Sequence, residues 1–186
     1  MSAIMKNPRV MQKLQSEIRN CAKGIQNVQD MNTTKMTYLK MVVKESLRLH
    51  TLAPYLIPHV SLSHTQVGGY DVFPSTIVLI NAWGIARDPS VWGENAAEFY
   101  PERFENHDGD IGWDRFDMLP FGAGRRSCPA KNTAPANLEF VIANLLYWFD
   151  WGLPSGMKSE DLNMESQGIP VLKRKVPLRL VPTKHK

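Results

Sequence analysis

The stretch Phe121-Gly122-Ala123-Gly124-Arg125-Arg126-Ser127-Cys128-Pro129-Ala130 constrains the fold more than any other, because glycines, arginines and a cysteine meet within it. Glycine admits positive φ and close backbone approach, so this segment can turn tightly around whatever the sulfur holds. Downstream, Leu138, Val141, Ile142, Leu145 and Leu146 recur at helical spacing, with Glu139 and Asn144 between them. That pattern predicts an amphipathic helix directly after the cysteine, with Pro129 in its first turn. At the positive end of a helix, beside Arg125 and Arg126, a thiolate is favoured over a thiol, which makes the cysteine a ligand or a nucleophile.

A lone cysteine is by default an inert buried thiol, and glycines by default make turns, so the neighbourhood has to decide. A phosphate-binding loop needs Lys-Ser/Thr after its second glycine and a dinucleotide loop needs a third glycine; neither is present. Catalytic thiols work with an imidazole base, and no histidine lies nearby in the chain, although a distant one could fold in. A thiolate in a glycine loop, with arginines able to pair with carboxylates, fits an axial ligand to haem iron whose propionates lie beside Arg126.

Phe121, Gly124, Arg126 and Cys128 fill four of the five fixed positions of Phe-x-x-Gly-x-Arg-x-Cys-x-Gly, with Ala130 where glycine is usual. The chain thereby resembles the cytochrome P-450 monooxygenases. The resemblance implies that Cys128 binds the iron and that Phe121, Gly124, Arg126 and Ala130 belong to the haem-binding segment.

A second constraint lies upstream. From Thr37 to His50 the run of Tyr38, Leu39, Met41, Val42, Val43, Leu47 and Leu49 is too apolar for a surface helix, yet it carries Glu45 and Arg48 three residues apart. On a surface such a pair contributes only ~0.3–0.5 kcal/mol. Buried, it demands further partners, and Arg103 is the next candidate. Phe99-Tyr100-Pro101-Glu102-Arg103-Phe104 resembles the Pro-Glu-Arg-Phe segment of plant P-450s, and Lys44 to His50 resembles their Glu-x-x-Arg motif. By that resemblance Glu45, Arg48 and Arg103 form the network that fixes the core around the haem.

The 186 residues can bury one good core. A net charge of +4 is modest, and part of it is a C-terminal cluster (Lys173, Arg174, Lys175, Arg179, Lys184, Lys186) alternating with apolar residues and proline. Without interleaved aromatics it reads as a solvated strand edge, and no nucleic-acid partner is expected. Cys21 and Cys128, the only cysteines, are too few for a zinc or iron–sulfur cage without histidines. They point to a reducing compartment, with a disulfide between them left open. The longest apolar run, within residues 138–149, is shorter than the ~20 residues a membrane span needs. No signal peptide is visible, so no anchor is expected in the chain as it stands.

Asn7-Pro8 reads as a cap followed by proline at the first helical position, with Val10, Met11, Leu14 and Ile18 on one face until Gly24. Met1 to Lys6 looks like the end of another helix, and residues 24–36 read as a loop. Residues 54–60 begin an extended segment, and Gly68-Gly69 is a turn between strands. Ile77 to Ile80 reads as a strand buried on both faces. Residues 82–118 form a long irregular stretch packed by Trp83, Trp92 and Trp113, which in the P-450s is the meander before the cysteine loop. Leu172 to Val181 shows β-like alternation around Pro177, an edge hairpin. The fold expected is mixed, mainly α with small β-sheets: the C-terminal portion of the P-450 fold, one incomplete domain over residues 1–186.

The resemblance runs from about residue 8 to 182 but covers less than half of a family member. The N-terminal anchor, most substrate-recognition segments and the distal oxygen-handling helix are not matched. Residues 52–59 and 166–171 match two late substrate-recognition regions, which makes Leu52, Ala53, Tyr55, Leu56 and Ile169 lining candidates, with ordinary packing as the other reading. Several haem-side positions depart from the family: Thr51 replaces proline, His59 an arginine that would hold a propionate, and Lys131 and Thr133 apolar residues. Pro135 is expected inside the final helix, where proline costs ~3 kcal/mol and kinks. The resemblance implies haem and iron binding within a monooxygenase that oxidises a small organic substrate with dioxygen. Its electrons would come from NADPH through a flavoprotein reductase at the cytosolic face of the endoplasmic reticulum. The alternative is a truncated, non-catalytic haem-binding remnant.

Overall fold

The computed structural model describes residues 1–105 and 116–185; Trp113 and Lys186 lie outside the described residues. In chain order come α1 (Ser2–Lys6), α2 (Pro8–Cys21), α3 (Thr37–Leu49), strands β1 (His59–Val60), β2 (Thr65–Val67), β3 (Tyr70–Val72) and β4 (Ile77–Val78), and short helices α4 (Ala82–Ile85) and α5 (Pro89–Trp92). After the cysteine loop come α6 (Thr133–Trp148), β5 (Phe149–Gly152), β6 (Ser166–Gln167), β7 (Lys173–Arg174) and β8 (Val181–Lys184).

The core is built by α2, α3 and α6. Pro8 cannot donate a backbone hydrogen bond, so the helical path breaks at Asn7 and restarts as α2. The Asn7 amide does not cap forward; it donates back to the Ala3 carbonyl at 2.8 Å. Val10, Leu14 and Ile18, four residues apart, bury one face of α2 against Leu39, Val42 and Val43 of α3 and Ala143 and Leu146 of α6. Met36, at the start of α3, has no side-chain oxygen to cap with. Glu17 of α2 does the capping instead, accepting the Tyr38 and Leu39 backbone N–H groups at 2.8 Å each and the Thr37 hydroxyl at 3.2 Å.

The strands form four antiparallel two-stranded ladders, β1 with β4, β2 with β3, β5 with β8 and β6 with β7, and Trp151 of β5 packs against this core. Gly68 and Gly69, both at positive φ, close the β2–β3 hairpin as expected. Other expectations fail for identifiable reasons. Ile77 to Ile80 is not a strand buried on both faces: β4 is two residues long, pairs on one edge only, and leaves Ile77 67% exposed. Apolarity there registers a tendency to be covered, and no described element covers it. Leu172 to Val181 is not a hairpin, because β7 pairs back to β6 while β8 crosses to β5. The stretch after residue 82 is less irregular than expected, holding α4, α5 and a 3-10 turn at Pro101–Phe104.

The final helix also starts later than the pattern implies. Residues 129–132 are turns and α6 begins at Thr133. Pro135 therefore falls in the first turn, where the missing N–H has no intrahelical partner to lose, and it is buried there. Nor is α6 simply amphipathic. Ala143, Asn144 and Leu146 face the core, while Leu138, Phe140 and Val141 are exposed, so the helix is apolar on more sides than the described chain covers.

Candidate functional site

Glu45 and Arg48 are both wholly buried on α3, joined by paired bonds from Arg48 Nε to Oε2 (2.7 Å) and Nη2 to Oε1 (2.9 Å). The same carboxylate accepts from Arg103 Nε at 3.0 Å and from the Tyr100 backbone N–H at 2.8 Å. One negative charge therefore faces two guanidinium groups, and backbone carbonyls take up the remaining donors. Arg48 Nη1 donates to the carbonyls of Ala86 and Ala96, and Nη2 to that of Glu98. Arg103 donates to the carbonyls of Trp92 (3.1 Å) and Asn95 (2.9 Å). The Arg48 guanidinium also lies 5.0 Å over the Trp92 ring, which packs edge-on against Phe104. Bidentate, carbonyl-tethered arginines of this kind hold an irregular chain, here residues 86–103, rigidly against a helix.

Glu102, next to Arg103, points to the other side. It takes both Nη atoms of Arg9 (2.5 and 3.1 Å), Lys13 Nζ (3.1 Å) and the Tyr38 hydroxyl (3.0 Å). The Arg9 hydrogen bonds, ahead of Lys13 and Tyr38, hold its carboxyl down at about 2, and burial pushes the Tyr38 phenol up. This second cluster joins α2, α3 and the 3-10 turn. Nothing in local sequence marks it, since Arg9 and Lys13 read as an ordinary solvated face.

The cysteine loop is pinned by its backbone. The Cys128 N–H donates to the Phe121 carbonyl at 2.8 Å, the Ser127 N–H to Gly124 at 3.1 Å, and the Gly122 N–H to Leu119 at 3.2 Å. Gly122 (φ 68°) and Gly124 (φ 70°) occupy left-handed backbone that only glycine adopts without strain. A Cβ built on Gly124 meets nothing within 4 Å, so open space lies beside the loop. Cys128 is a free, half-buried thiol, whereas Cys21 is exposed on α2. Arg126 is exposed and has no acidic partner among the described residues. Ala130 does not have the positive φ that would require glycine. A half-buried thiol on a pinned loop, an uncommitted guanidinium and open space together fit a thiolate-ligated haem with carboxylate side arms.

Cys128 precedes α6 by a run of turns, so its setting is the pinned loop and not the helix terminus. His59 is exposed on β1, paired through its backbone with Val78. Thr51, where the family has proline, is buried and donates to the Arg48 carbonyl at 3.0 Å, finishing α3. The two candidate recognition segments meet through the Leu172 N–H, which donates to the Leu52 carbonyl at 2.7 Å. Leu52 and Tyr55 are exposed and Ala53 half-buried; Ile169 is 94% exposed. Leu56 differs. It is buried with Ala82, Leu119 and Ala123, at positive φ, and lies against Gly122, so it supports the cysteine loop from beneath.

The family model described as cytochrome P-450 matches residues 1–180. The chain belongs to the cytochrome P-450 family. It is 56% identical over 185 residues to parthenolide synthase of Tanacetum parthenium and 57% identical over 185 residues to eupatolide synthase of Helianthus annuus. Each comparison takes in 100% of this chain and 37% of the relative, so the chain spans well under half the length of the P-450s it matches. A zebrafish cytochrome P-450 solved with abiraterone superposes with a TM-score of 0.84 at 27% identity, over 100% of this chain and 44% of that one. The architecture is thus that of the P-450 fold, mainly helical with small sheets. No helix among the described residues is long and apolar enough to cross a membrane.

Proposed function

We propose that this chain binds haem through Cys128 and forms the thiolate-bearing part of a monooxygenase that oxidises a small organic molecule. The observation that carries the reading is the cysteine loop: a free thiol whose backbone is tied to Phe121 across two positive-φ glycines, beside an uncommitted Arg126. When bound, haem supplies the iron at which dioxygen is activated. Cys128 Sγ would hold that iron as a thiolate, and the hydrogen bond from the Cys128 N–H to the Phe121 carbonyl fixes the backbone that carries the sulfur. Arg126 would pair with a propionate, Phe121, Gly124 and Ala130 would complete the cradle, and His59 would stand in the second propionate position. Glu45, Arg48 and Arg103 keep residues 86–103 in place against α3. Electrons come from NADPH through a flavoprotein reductase at the endoplasmic reticulum surface, and Leu52, Ala53, Tyr55 and Ile169 face the substrate.

The test is the carbon-monoxide difference spectrum of the reduced chain after haem addition. Cys128→Ser abolishes the thiolate-type band and Cys21→Ser retains it. Identical spectra from the two variants would remove the assignment.

A further inference from the structure

A cleft of about 560 Å³ opens between the C-terminal end of α3 and the β6–β7 ladder. It runs along the seam where the Leu172 N–H meets the Leu52 carbonyl, so both candidate recognition segments border it. Its apolar wall is made by Leu52, Leu172 and Trp83, and the side chains of Leu52 and Trp83 are largely exposed.

The polar wall is one-sided. Arg87, Lys173 and Arg174 border the cleft, and none of them meets a carboxylate among the described residues. Arg87 lies 4.2 Å over the Trp83 ring and donates to the Leu49 and Trp83 carbonyls. Arg174 donates to the Val176 carbonyl at 3.0 Å and the Asn163 carbonyl at 2.7 Å. Carbonyls orient a guanidinium without neutralising it, so both remain full positive charges held in place. The bordering acid, Glu165, is engaged by Lys175 at 2.8 Å. His50 borders the cleft too, and burial, with Arg87 next, lowers its pKa, so it adds no negative charge and little positive.

We infer that this cleft binds a small apolar molecule carrying a carboxylate, its skeleton against Trp83, Leu52 and Leu172 and its charge toward Arg87, Lys173 and Arg174. The inference rests on the monooxygenase reading for making such a molecule a substrate, and it narrows that substrate to apolar acids.

The test is isothermal titration of the 186-residue chain, without haem, using 2-naphthoate and methyl 2-naphthoate as probes. The acid binds about tenfold more tightly than the ester, and added salt erodes that difference. Lys173 is exposed, so Lys173→Gln leaves the fold alone; it weakens naphthoate on the order of threefold to tenfold and leaves the ester unchanged. Trp83→Ala weakens both probes. Equal binding of acid and ester, no binding of naphthoate, or a Lys173→Gln chain that binds like the parent overturns the inference. Cys128→Ser binds naphthoate as the parent does, so a failed haem spectrum counts against the haem reading and leaves this one standing.

Discussion

At Glu45 a single carboxylate serves Arg48, Arg103 and the Tyr100 N–H with no access to water. Removing one member strands the others, which typically costs ~3–5 kcal/mol. Arg103→Ala and Glu45→Gln are each expected to destabilise by that amount in urea unfolding, and the double variant by less than the sum, because the two share one interaction. Fully additive losses would show that the groups act independently. Glu102 gives a pH-dependent counterpart. Its folded carboxyl lies at about 2, below its ordinary 4.5, because Arg9, Lys13 and Tyr38 bond the charged form. The stability it contributes is present above pH 4.5 and is lost as pH falls from there toward 2, amounting to about 1–3 kcal/mol after screening at the exposed Arg9 end. Acid unfolding midpoints read this directly: Glu102→Gln flattens the dependence in that window and leaves the slope above pH 5 unchanged.

Among the elements, the cysteine loop and α6 carry opposite kinds of constraint. Gly124 needs its left-handed backbone but has open space around it, so Gly124→Ala costs only the strain of a Cβ at positive φ, about 1–2 kcal/mol. Its larger effect falls on haem uptake, since the new methyl projects into the space beside the loop. In α6 the exposed positions are apolar without being part of the core. Val141→Lys therefore leaves the unfolding free energy within about 0.5 kcal/mol of the parent while reducing aggregation in light scattering. A large loss of stability would place Val141 in packing that the structure does not give it.

For the whole molecule, the distribution of apolar surface decides what the chain can do by itself. Leu62, Phe116, Val141 and Ile169 stand exposed around a well-packed three-helix core, in a chain that spans 37% of its relatives. On the proposed haem-binding reading, excluding water from the iron needs a wall around it, and the described residues leave the space beside Gly124 open. Supplied with haem, a reductase and NADPH, the 186-residue chain is expected to consume electrons without forming product in proportion. Product formation that tracks NADPH consumption and vanishes in Cys128→Ser would refute this.

Much of this was legible in the sequence because it follows from local rules. Periodicity and Pro8 fix α2, the apolar run fixes α3, paired glycines fix the β2–β3 turn, and two charges on an apolar helix demand a third partner such as Arg103. Tertiary structure decided the rest. The carbonyls of Ala86, Trp92, Asn95, Ala96 and Glu98 that hold the arginines carry no side-chain signature, and Glu17 caps a helix that begins 20 residues after it. Glu102 finds Arg9 across 93 residues. Leu56 reads like its neighbours yet is buried, while Ile77 reads like core yet is exposed. A side chain's chemistry sets what it gains from burial or pairing, but the surface that meets it comes from residues far away in the chain, and only folding brings them together.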